Sequence, residues 1–451
     1  SKASLTKILK IMTTSELLSP AGSLKGMHFA FAYGADAVYA GQPKYSLRVR
    51  NNEFRKQDNL AAGIAEAHRL GKKFYVASNL APHNNKVRTF IKDMASVVEA
   101  KPDAVILSDP GLIMMVRERW PELTVHLSVQ ANAVNFATVK FWQRQGVQRV
   151  ILSRELSLDE IEEIRQQCPD IELEVFVHGA LCVAYSGRCL LSGYMTHRDS
   201  NQGACTNSCR WNYQAHPAVE DSSGDLVATP DSLTIDTPAM LLQEEKRQGE
   251  YMPAFEDEHG TYIMNSKDLR AVQHVGRLIE LGIESLKIEG RTKSHYYIAR
   301  TAQVYRRAID DALAGRTFDM SMMDQLDSLA NRGYTEGFYR RHPPHEFQNY
   351  EHGFSRGLKQ QYVGDVNKDD THPGMLAIDV KNRFQVGDEL ELMTPNGNLS
   401  LHLTHLEDEQ GQSIKLAPGS GYKVFMPQPT DFQSTSDAEF SMVLRNLETQ
   451  E

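Results

Sequence analysis

Apolar and polar positions alternate in blocks along the first two thirds of the chain. Short, β-branched apolar runs recur, and most are separated by longer segments with helical periodicity, such as Leu60–Leu70 and Leu158–Gln167. Strand-length runs between helix-length spacers are typical of parallel β-α-β units. The runs are Glu16–Ser19, Asp36–Gly41, Lys73–Asn79, Asp103–Asp109, Thr124–Gln130, Arg149–Glu155, Glu172–His178 and Glu284–Gly290. Eight such units predict an α/β fold with a (β/α)8 barrel over residues 15–340.

An open, doubly wound sheet is the alternative architecture for the same alternation. Sheets of that kind usually hold nucleotides through a glycine-rich turn. The chain has neither a Gly-x-Gly-x-x-Gly turn after an early strand nor a Gly-x-x-x-x-Gly-Lys motif. We therefore favour the barrel.

The pattern changes at both ends of the barrel region and once inside it. The polar stretch 213–254, with scattered prolines, is interpreted as an excursion or mobile loop. Residues 341–360 contain prolines, glycines and basic residues typical of a linker. From 361 to 451, short apolar runs alternate with Gly, Asn and Pro turns and predict a small all-β domain, a barrel or a sandwich. Residues 1–14 lack the apolar stretch of a signal peptide and are interpreted as a leader.

Polar side chains stand at the carboxyl ends of the predicted strands. Those ends meet at one face of a barrel, and that face carries the active site in barrel enzymes. The alternative for any one of them is that it caps the following helix, as Ser153 or Ser157 could. The candidates for substrate or RNA binding are Asn79, Gln130 and Asn132, and the candidate catalytic residues are Arg154, His178, Glu289 and Arg291.

The two strand-end arginines carry the most specific expectation. A buried charge costs several kcal/mol unless it is paired, so Arg154 and Arg291 must each meet an acid or an anionic ligand. Glu289 precedes Arg291 by two positions and would point to the same side, so an internal pair between them is the alternative to ligand binding. His178 could transfer a proton or simply hydrogen-bond the backbone.

Composition limits the classes of function. The net charge is −9, with 49 basic and 58 acidic residues, which argues against a protein that coats nucleic acid nonspecifically. A local basic segment remains possible, and one follows the second predicted strand. Its basic or polar members are Arg48, Arg50, Asn51, Arg55 and Lys56. Guanidinium groups there could hold phosphate or carboxylate, although a solvated loop is the alternative.

Four of the five cysteines fall in one window, at Cys182, Cys189, Cys205 and Cys209. Thiolates converge where a soft metal or a metal–sulfur cluster is held. Structural zinc sites usually draw on tight pairs, and only the last two cysteines have that spacing. The wide spacing therefore favours a [4Fe–4S] cluster over zinc. Two disulfides or four unrelated buried thiols are the alternative, and a long chain without a secretory apolar region argues against a disulfide framework. Cys168 stands apart and is interpreted as an ordinary residue.

The cysteine window also resembles a known family. The run Glu174-x-Phe176-x-x-Gly179-Ala180-Leu181-Cys182-x4-Gly187-x-Cys189-x-Leu191-Ser192 is similar to the signature of the U32 "peptidase-like" family, and it matches at every defined position. The stretches Leu-Leu-Ser-Pro-Ala-Gly from Leu17, Ala-Val-Tyr-Ala-Gly from Ala37 and Leu-Lys-Ile-Glu-Gly-Arg from Leu286 are similar to the same family. The resemblance spans residues 15 to 450.

The resemblance implies a function that composition alone does not. Several branches of the family are associated with oxygen-independent hydroxylation that needs a [4Fe–4S] cluster and prephenate, and one branch with 5-hydroxyuridine at the wobble position of tRNA. The expected partners are therefore tRNA and a small dicarboxylate, and the free cysteines fit the cytoplasm. No run of eighteen apolar residues predicts a membrane span.

Two other classes of function compete with this reading. The first is a zinc-dependent or other metal-dependent hydrolase or peptidase, as the family's older name suggests. The sequence does not support it, since no His-Glu-x-x-His helix motif is present and Ser186 is not in a Gly-x-Ser-x-Gly turn. The second is a noncatalytic RNA-binding scaffold whose metal site only stabilises a loop.

Overall fold

The structure of the protein is a computed structural model. It describes residues 15–42, 44–46, 52–80, 82, 84–180, 268–329, 331, 333–340, 359–369, 371–432 and 439–447. Between 184 and 263 it describes the backbone of short strands at 184–185, 188–189, 213–220, 226–228, 239–244, 251–257 and 260–263.

Eight parallel strands form a closed barrel, as the sequence predicted. Each strand pairs with the next along the chain, and the eighth pairs with both the first and the seventh, which closes the sheet. The strands are β1 Glu16–Pro20, β2 Ala37–Gly41, β3 Lys73–Ser78, β4 Ala104–Leu107, β5 Val125–Leu127, β6 Arg149–Ile151, β7 Glu172–Ala180 and β8 Ser285–Ile288. A short strand, Asp268–Arg270, pairs antiparallel with the end of β7 and parallel with Tyr334–Thr335.

Helices follow the strands and start at residues that suit helix N-termini. Ser157 accepts a hydrogen bond from the Glu160 backbone N–H in a reciprocal capping box, and Asp109 caps a helix with Pro110 at its first position. The helices are α1 Leu24–Ala32, α2 Gln57–Arg69, α3 Asn84–Glu99, α4 Pro110–Arg119, α5 Phe136–Arg144, α6 Leu158–Gln167, α7 Val275–Glu280, α8 His295–Leu313 and α9 Ser321–Asp327. In the described part of the chain, single 3₁₀ turns lie at Glu53–Arg55, Val129–Ala131 and Val272–His274.

The lower, amino-terminal half of the barrel interior contains a network of paired charges. Arg149 of β6 donates to Glu16 of β1 at 2.7 Å, to Glu174 of β7 at 3.2 Å and to Glu172 at 2.8 Å. Because β1 and β6 are not adjacent strands, the contact with Glu16 crosses the interior. Glu174 is fully buried and also accepts from Lys287 of β8 at 2.8 Å. Barrel interiors are usually filled by Val, Ile and Leu, so this charged filling is a distinctive feature of the fold.

The excursion differs from the predicted loop. Here the described backbone forms a five-stranded antiparallel sheet that continues past residue 254 to Ile263. Its strands, in spatial order, are Leu226–Ala228, Tyr213–Glu220, Ala239–Glu244, Tyr251–Asp257 and Gly260–Ile263. The sequence signal was weak because Pro217 and Pro253 lie inside two of these strands, and proline normally argues against a strand.

The carboxyl-terminal region is all-β, as predicted. Its strands are β9 Lys359–Asn367, β10 Met375–Val380, β11 Glu389–Thr394, β12 Gly397–His402, β13 Leu406–Glu407, β14 Ser413–Ile414, β15 Lys423–Pro427 and β16 Met442–Leu447. These eight strands form an antiparallel sheet with the spatial order β12-β11-β16-β9-β10-β15-β13-β14. Two more short strands, Phe384–Gln385 and Leu416–Ala417, pair with each other.

This β-domain packs on α1 and α8 of the barrel. The Tyr33 hydroxyl donates to the Phe440 carbonyl at 2.8 Å, and Arg300, whose side chain is fully buried, pairs with Glu391. Met393 and Met442 of the β-domain belong to the same apolar core as the barrel. The two domains therefore share a packed interface at the side of the barrel that carries α1 and α8.

In the part of the chain that the structure describes, no helix is both long enough and apolar enough to cross a lipid bilayer.

Candidate active site at the barrel mouth

Arg154 and Glu289, from the ends of β6 and β8, meet at the mouth of the barrel. Arg154 Nη2 lies 3.3 Å from Glu289 Oε2, and both side chains are largely buried. The Arg154 guanidinium also lies 3.8 Å from the ring centroid of Phe176, which places it over the aromatic face. Arg154 is thus held in a fixed position by an acid and a ring.

Arg291 is also buried at the mouth but is bound differently. Its Nη1 donates to the Ser46 hydroxyl at 2.7 Å, and its Nε has no hydrogen-bond partner among the described residues. A Cβ at Gly41 would lie 2.5 Å from Nη1, so the glycine leaves the space that the guanidinium occupies. Glu289, the acid of the alternative internal pair, pairs with Arg154 instead. Arg291 therefore offers donors to a bound anion.

Lys287 lies beneath these arginines and was missed by the sequence analysis. Its Nζ lies 2.8 Å from Glu174, 4.3 Å from the Tyr39 ring centroid and 5.3 Å from that of Phe176. Burial lowers the pKa of Lys287, although Glu174 favours its charged form. The signal was present, because Lys287 precedes Glu289 by two positions and strand residues two apart share a face. Lys287 therefore lies between the network of paired charges at the amino-terminal end of the barrel and the arginines at its mouth.

His178 lies among tyrosines. Its Nδ1 is 3.3 Å from the Tyr305 hydroxyl, and its ring packs against the rings of Tyr297, Tyr305 and Tyr334. Burial, with help from Arg270 and Lys293, lowers the pKa of His178 to about 3. The imidazole is therefore neutral near pH 7 and adds no positive charge to the mouth. Its role in proton transfer stays a prediction.

The predicted polar residues of the rim lie along neighbouring strand ends. Asn79 Nδ2 donates to the Ser128 hydroxyl at 3.4 Å, and the Ser153 hydroxyl donates to Asn132 Oδ1 at 2.5 Å. Asn132 has a left-handed backbone conformation, with φ of 56°, where it ends the 3₁₀ turn that contains Gln130. These hydrogen bonds connect the segments that follow β3, β5 and β6. Contact of these residues with RNA or substrate stays a prediction.

Most of the basic segment after β2 lies outside the described residues, including Arg48, Arg50 and Asn51. Only the backbone of Arg55 is described, in the turn Glu53–Arg55, while Lys56 is exposed just before α2. Asn52 Nδ2 donates to the Gly41 carbonyl at 2.8 Å, which ties the end of the segment to the strand beside Arg291. RNA binding by this basic segment therefore stays a prediction.

The predicted cluster ligands Cys182, Cys205 and Cys209 also lie outside the described residues. For Cys189 the backbone is described, in a two-residue strand that pairs Arg188–Cys189 with Ala184–Tyr185. Across the described ranges, no group of three or more His, Cys, Asp and Glu side chains could hold a metal ion. Cys168 ends α6, buried, with its sulfur 3.5 Å from the Phe136 carbonyl. The four clustered thiols remain the predicted ligand set, and their soft donors suit iron.

Two family models match this chain. The model of peptidase family U32 matches residues 22–349, and that of the peptidase family U32 C-terminal domain matches residues 359–436. The chain belongs to peptidase family U32.

The U32 chain is similar to two tRNA hydroxylation proteins over nearly its whole length and to an rRNA-modifying protein over a smaller part. It is 60% identical to the tRNA hydroxylation protein P of Escherichia coli, over 97% of this chain and 98% of the relative. It is 58% identical to the protein of the same name from Haemophilus influenzae, over 97% and 98% of the two chains. A 23S rRNA 5-hydroxycytidine synthase of Escherichia coli is 29% identical over 79% of this chain and 47% of that protein.

Proposed function

We propose that this U32 protein is a tRNA-modifying enzyme that takes part in hydroxylating the wobble uridine to 5-hydroxyuridine. The observation that carries the proposal is the identity of 60% to a tRNA hydroxylation protein over almost the full length of both chains. Similarity to a protein named for hydroxylating a pyrimidine of ribosomal RNA supports the same class of chemistry. Since tRNA is the substrate, we place the enzyme in the cytoplasm.

We further propose that the enzyme works without molecular oxygen and holds a [4Fe–4S] cluster on Cys182, Cys189, Cys205 and Cys209. When bound, such a cluster supplies one-electron redox chemistry. The cysteine window follows β7 directly, so its start lies at the carboxyl end of a barrel strand. Barrel enzymes carry their reacting groups at that face.

The small cosubstrate is proposed to be a dicarboxylate, with prephenate as the hydroxyl source. Arg291 supports this because it is buried and donates to one neutral hydroxyl, so a carboxylate would supply the missing charge. Arg154 is already paired with Glu289 and would position that acid or add a second contact. The ring centroids of Tyr39 and Phe176 lie 4.3 and 5.3 Å from Lys287 Nζ, so both rings and the lysine belong to the base of the proposed site.

Nucleoside mass spectrometry tests the function directly. A strain whose own gene is deleted should lose 5-hydroxyuridine from its tRNA and regain it when this chain is supplied. Unchanged 5-hydroxyuridine in the deletion strain would refute the proposal and leave a scaffold role.

Iron analysis tests the cofactor. Anaerobically purified protein should be brown and contain iron and sulfide, whereas Cys205→Ala should lose most of both. Cys168→Ala is the matched control and should retain the parent content, because Cys168 lies buried at the end of α6. A Cys205→Ala protein with full iron and sulfide would contradict the ligand assignment, and a colourless zinc-containing parent would favour a hydrolase.

A further inference from the structure

A small pocket opens beside Arg291, between the first turns of α1 and α8. Its lining includes Gly26 of α1 and the cap residue Ser23 that precedes this helix. It also includes His295 of α8 and Lys293 in the loop before α8. The cavity measures about 100 Å³, well below the roughly 300 to 1,000 Å³ of pockets that enclose whole small molecules. The space suits a single carboxylate or phosphate group.

Both helices present amino termini to this pocket. Ser23 caps α1 by accepting from the Gly26 N–H, and Ser294 caps α8 by accepting from the Tyr297 N–H. Neither helix has an acidic residue in its first turn, where acids commonly offset the positive end of the helix dipole. The two positive ends are close because Gly26 has no side chain: a Cβ there would lie 3.1 Å from Ile298 of α8.

A second observation, independent of the helix ends, also indicates an anion. Arg291 is more than nine-tenths buried and lines the pocket. Its described hydrogen bond is to the neutral Ser46 hydroxyl, and its Nε lacks a partner within the described ranges. A buried guanidinium without counter-charge is costly, and a bound oxyanion would remove that cost.

We propose that this pocket, lined by Ser23, Gly26, Arg291, Lys293 and His295 and here called the oxyanion pocket, binds one carboxylate or phosphate group of a substrate. The inference rests on the proposed function, which supplies both sources: a carboxylate of the dicarboxylate or a backbone phosphate of the tRNA. Arg291 and Lys293 provide charge, and the first turns of α1 and α8 provide backbone N–H donors. Glu53 is the acid in the lining, and it is exposed to water, which screens its repulsion of the anion.

The β-domain holds the two helix ends in place. Asp365 of β9 accepts from His295 Nε2 of α8 at 2.8 Å and from Lys25 Nζ of α1 at 2.7 Å. The Tyr362 hydroxyl, also from β9, lies 3.2 Å from His295 Nε2. Both helices that form the pocket are thus tied to one carboxylate of the other domain. Asp365 is a positioning residue for the oxyanion pocket.

The test compares Lys293→Glu with Lys92→Glu in the full-length, iron-loaded protein. Both variants reverse one exposed lysine, but Lys92 lies on α3 and does not line the pocket. Inorganic phosphate should raise the Tm of the parent and of Lys92→Glu but not of Lys293→Glu. Two further measurements, the salt dependence of tRNA binding and the Tm increase with prephenate, separate the two sources of the oxyanion.

The outcomes are distinct. If the group is an RNA phosphate, Lys293→Glu should weaken tRNA binding and lower the slope of log K against log salt by about 1. If it is a carboxylate, the tRNA slope should stay unchanged and the Tm increase with prephenate should be lost. Equal behaviour of the two variants in all three measurements would overturn the oxyanion pocket. A parent that responds to phosphate but modifies no tRNA would instead refute the proposed function.

Discussion

The barrel buries an arginine at each end, and the two have opposite surroundings. Arg149, at the amino-terminal end, contacts the carboxylates of Glu16, Glu172 and Glu174. Arg291, at the carboxyl-terminal end, donates to the Ser46 hydroxyl and keeps an unpartnered Nε within the described residues. Burial is similar, since both residues are less than a tenth exposed. What differs is whether the protein itself supplies the counter-charge.

The difference separates a structural charge from a functional one. A buried charge whose partners are all protein side chains contributes to the fold and has no donors left for a ligand. A buried charge with open donors costs stability in the free protein, and that cost is recovered when an anion binds. Under the proposed function, the same residue type serves the fold at one end of the barrel and recognition at the other, which agrees with the usual division between the two faces of barrel enzymes.

The largest expected effect is a loss of stability from substitution at the amino-terminal end of the barrel. Arg149→Ala leaves Glu16 and Glu174 buried without their shared partner, so we expect destabilisation of about 3–5 kcal/mol, measured by urea or thermal unfolding. Arg277→Ala removes an exposed pair with Glu162 and should cost less than about 1 kcal/mol. Equal losses in the two variants would mean that the network at the lower end is not structural.

The next effect is at the mouth and concerns activity instead of stability. Arg291→Lys keeps the charge but loses the two-point fork of the guanidinium. We expect tRNA modification to fall about 10- to 100-fold, which corresponds to the loss of about 1.5–3 kcal/mol for a charged hydrogen bond. Unfolding temperature and iron content should remain at parent values. Parent levels of 5-hydroxyuridine in cells with this variant as the only copy would show that Arg291 binds no substrate.

The last effect develops only below neutral pH and concerns His178, a residue near the mouth that carries no charge near pH 7. The pKa of His178 is lowered to about 3 in the fold, against about 6.5 in an unfolded chain. As pH falls, the unfolded state therefore binds a proton at His178 before the folded state does. The contribution of His178 to the free energy of unfolding is complete above pH 6.5. It decreases between pH 6.5 and 3 by up to about 1.4 kcal/mol per pH unit. His178→Phe should make Tm less dependent on pH between 6.5 and 4. An unchanged pH dependence would show that His178 is not buried in its neutral form.

The barrel itself could be predicted because its signal is local. Each strand and helix is encoded by a few consecutive residues, and their alternation along the chain predicts the topology. Prediction from local sequence fails in the excursion. Prolines such as Pro217 argue against a strand locally, although the strand forms by pairing with a distant segment. The resemblance to the U32 family supplied the expected chemistry, and three of the predicted cluster ligands, Cys182, Cys205 and Cys209, lie outside the described residues.

The sequence by itself determined the eight strands, the all-β carboxyl-terminal region, and which polar residues stand at strand ends. Only the tertiary structure decided their partners. Glu289 is two residues from Arg291 yet pairs with Arg154, and Arg291 finds Ser46, 245 positions away along the chain. The physical reason is that strand alternation depends on the nearest neighbours, whereas the counter-charge of a buried group depends on which distant side chains the closed barrel brings within hydrogen-bond distance.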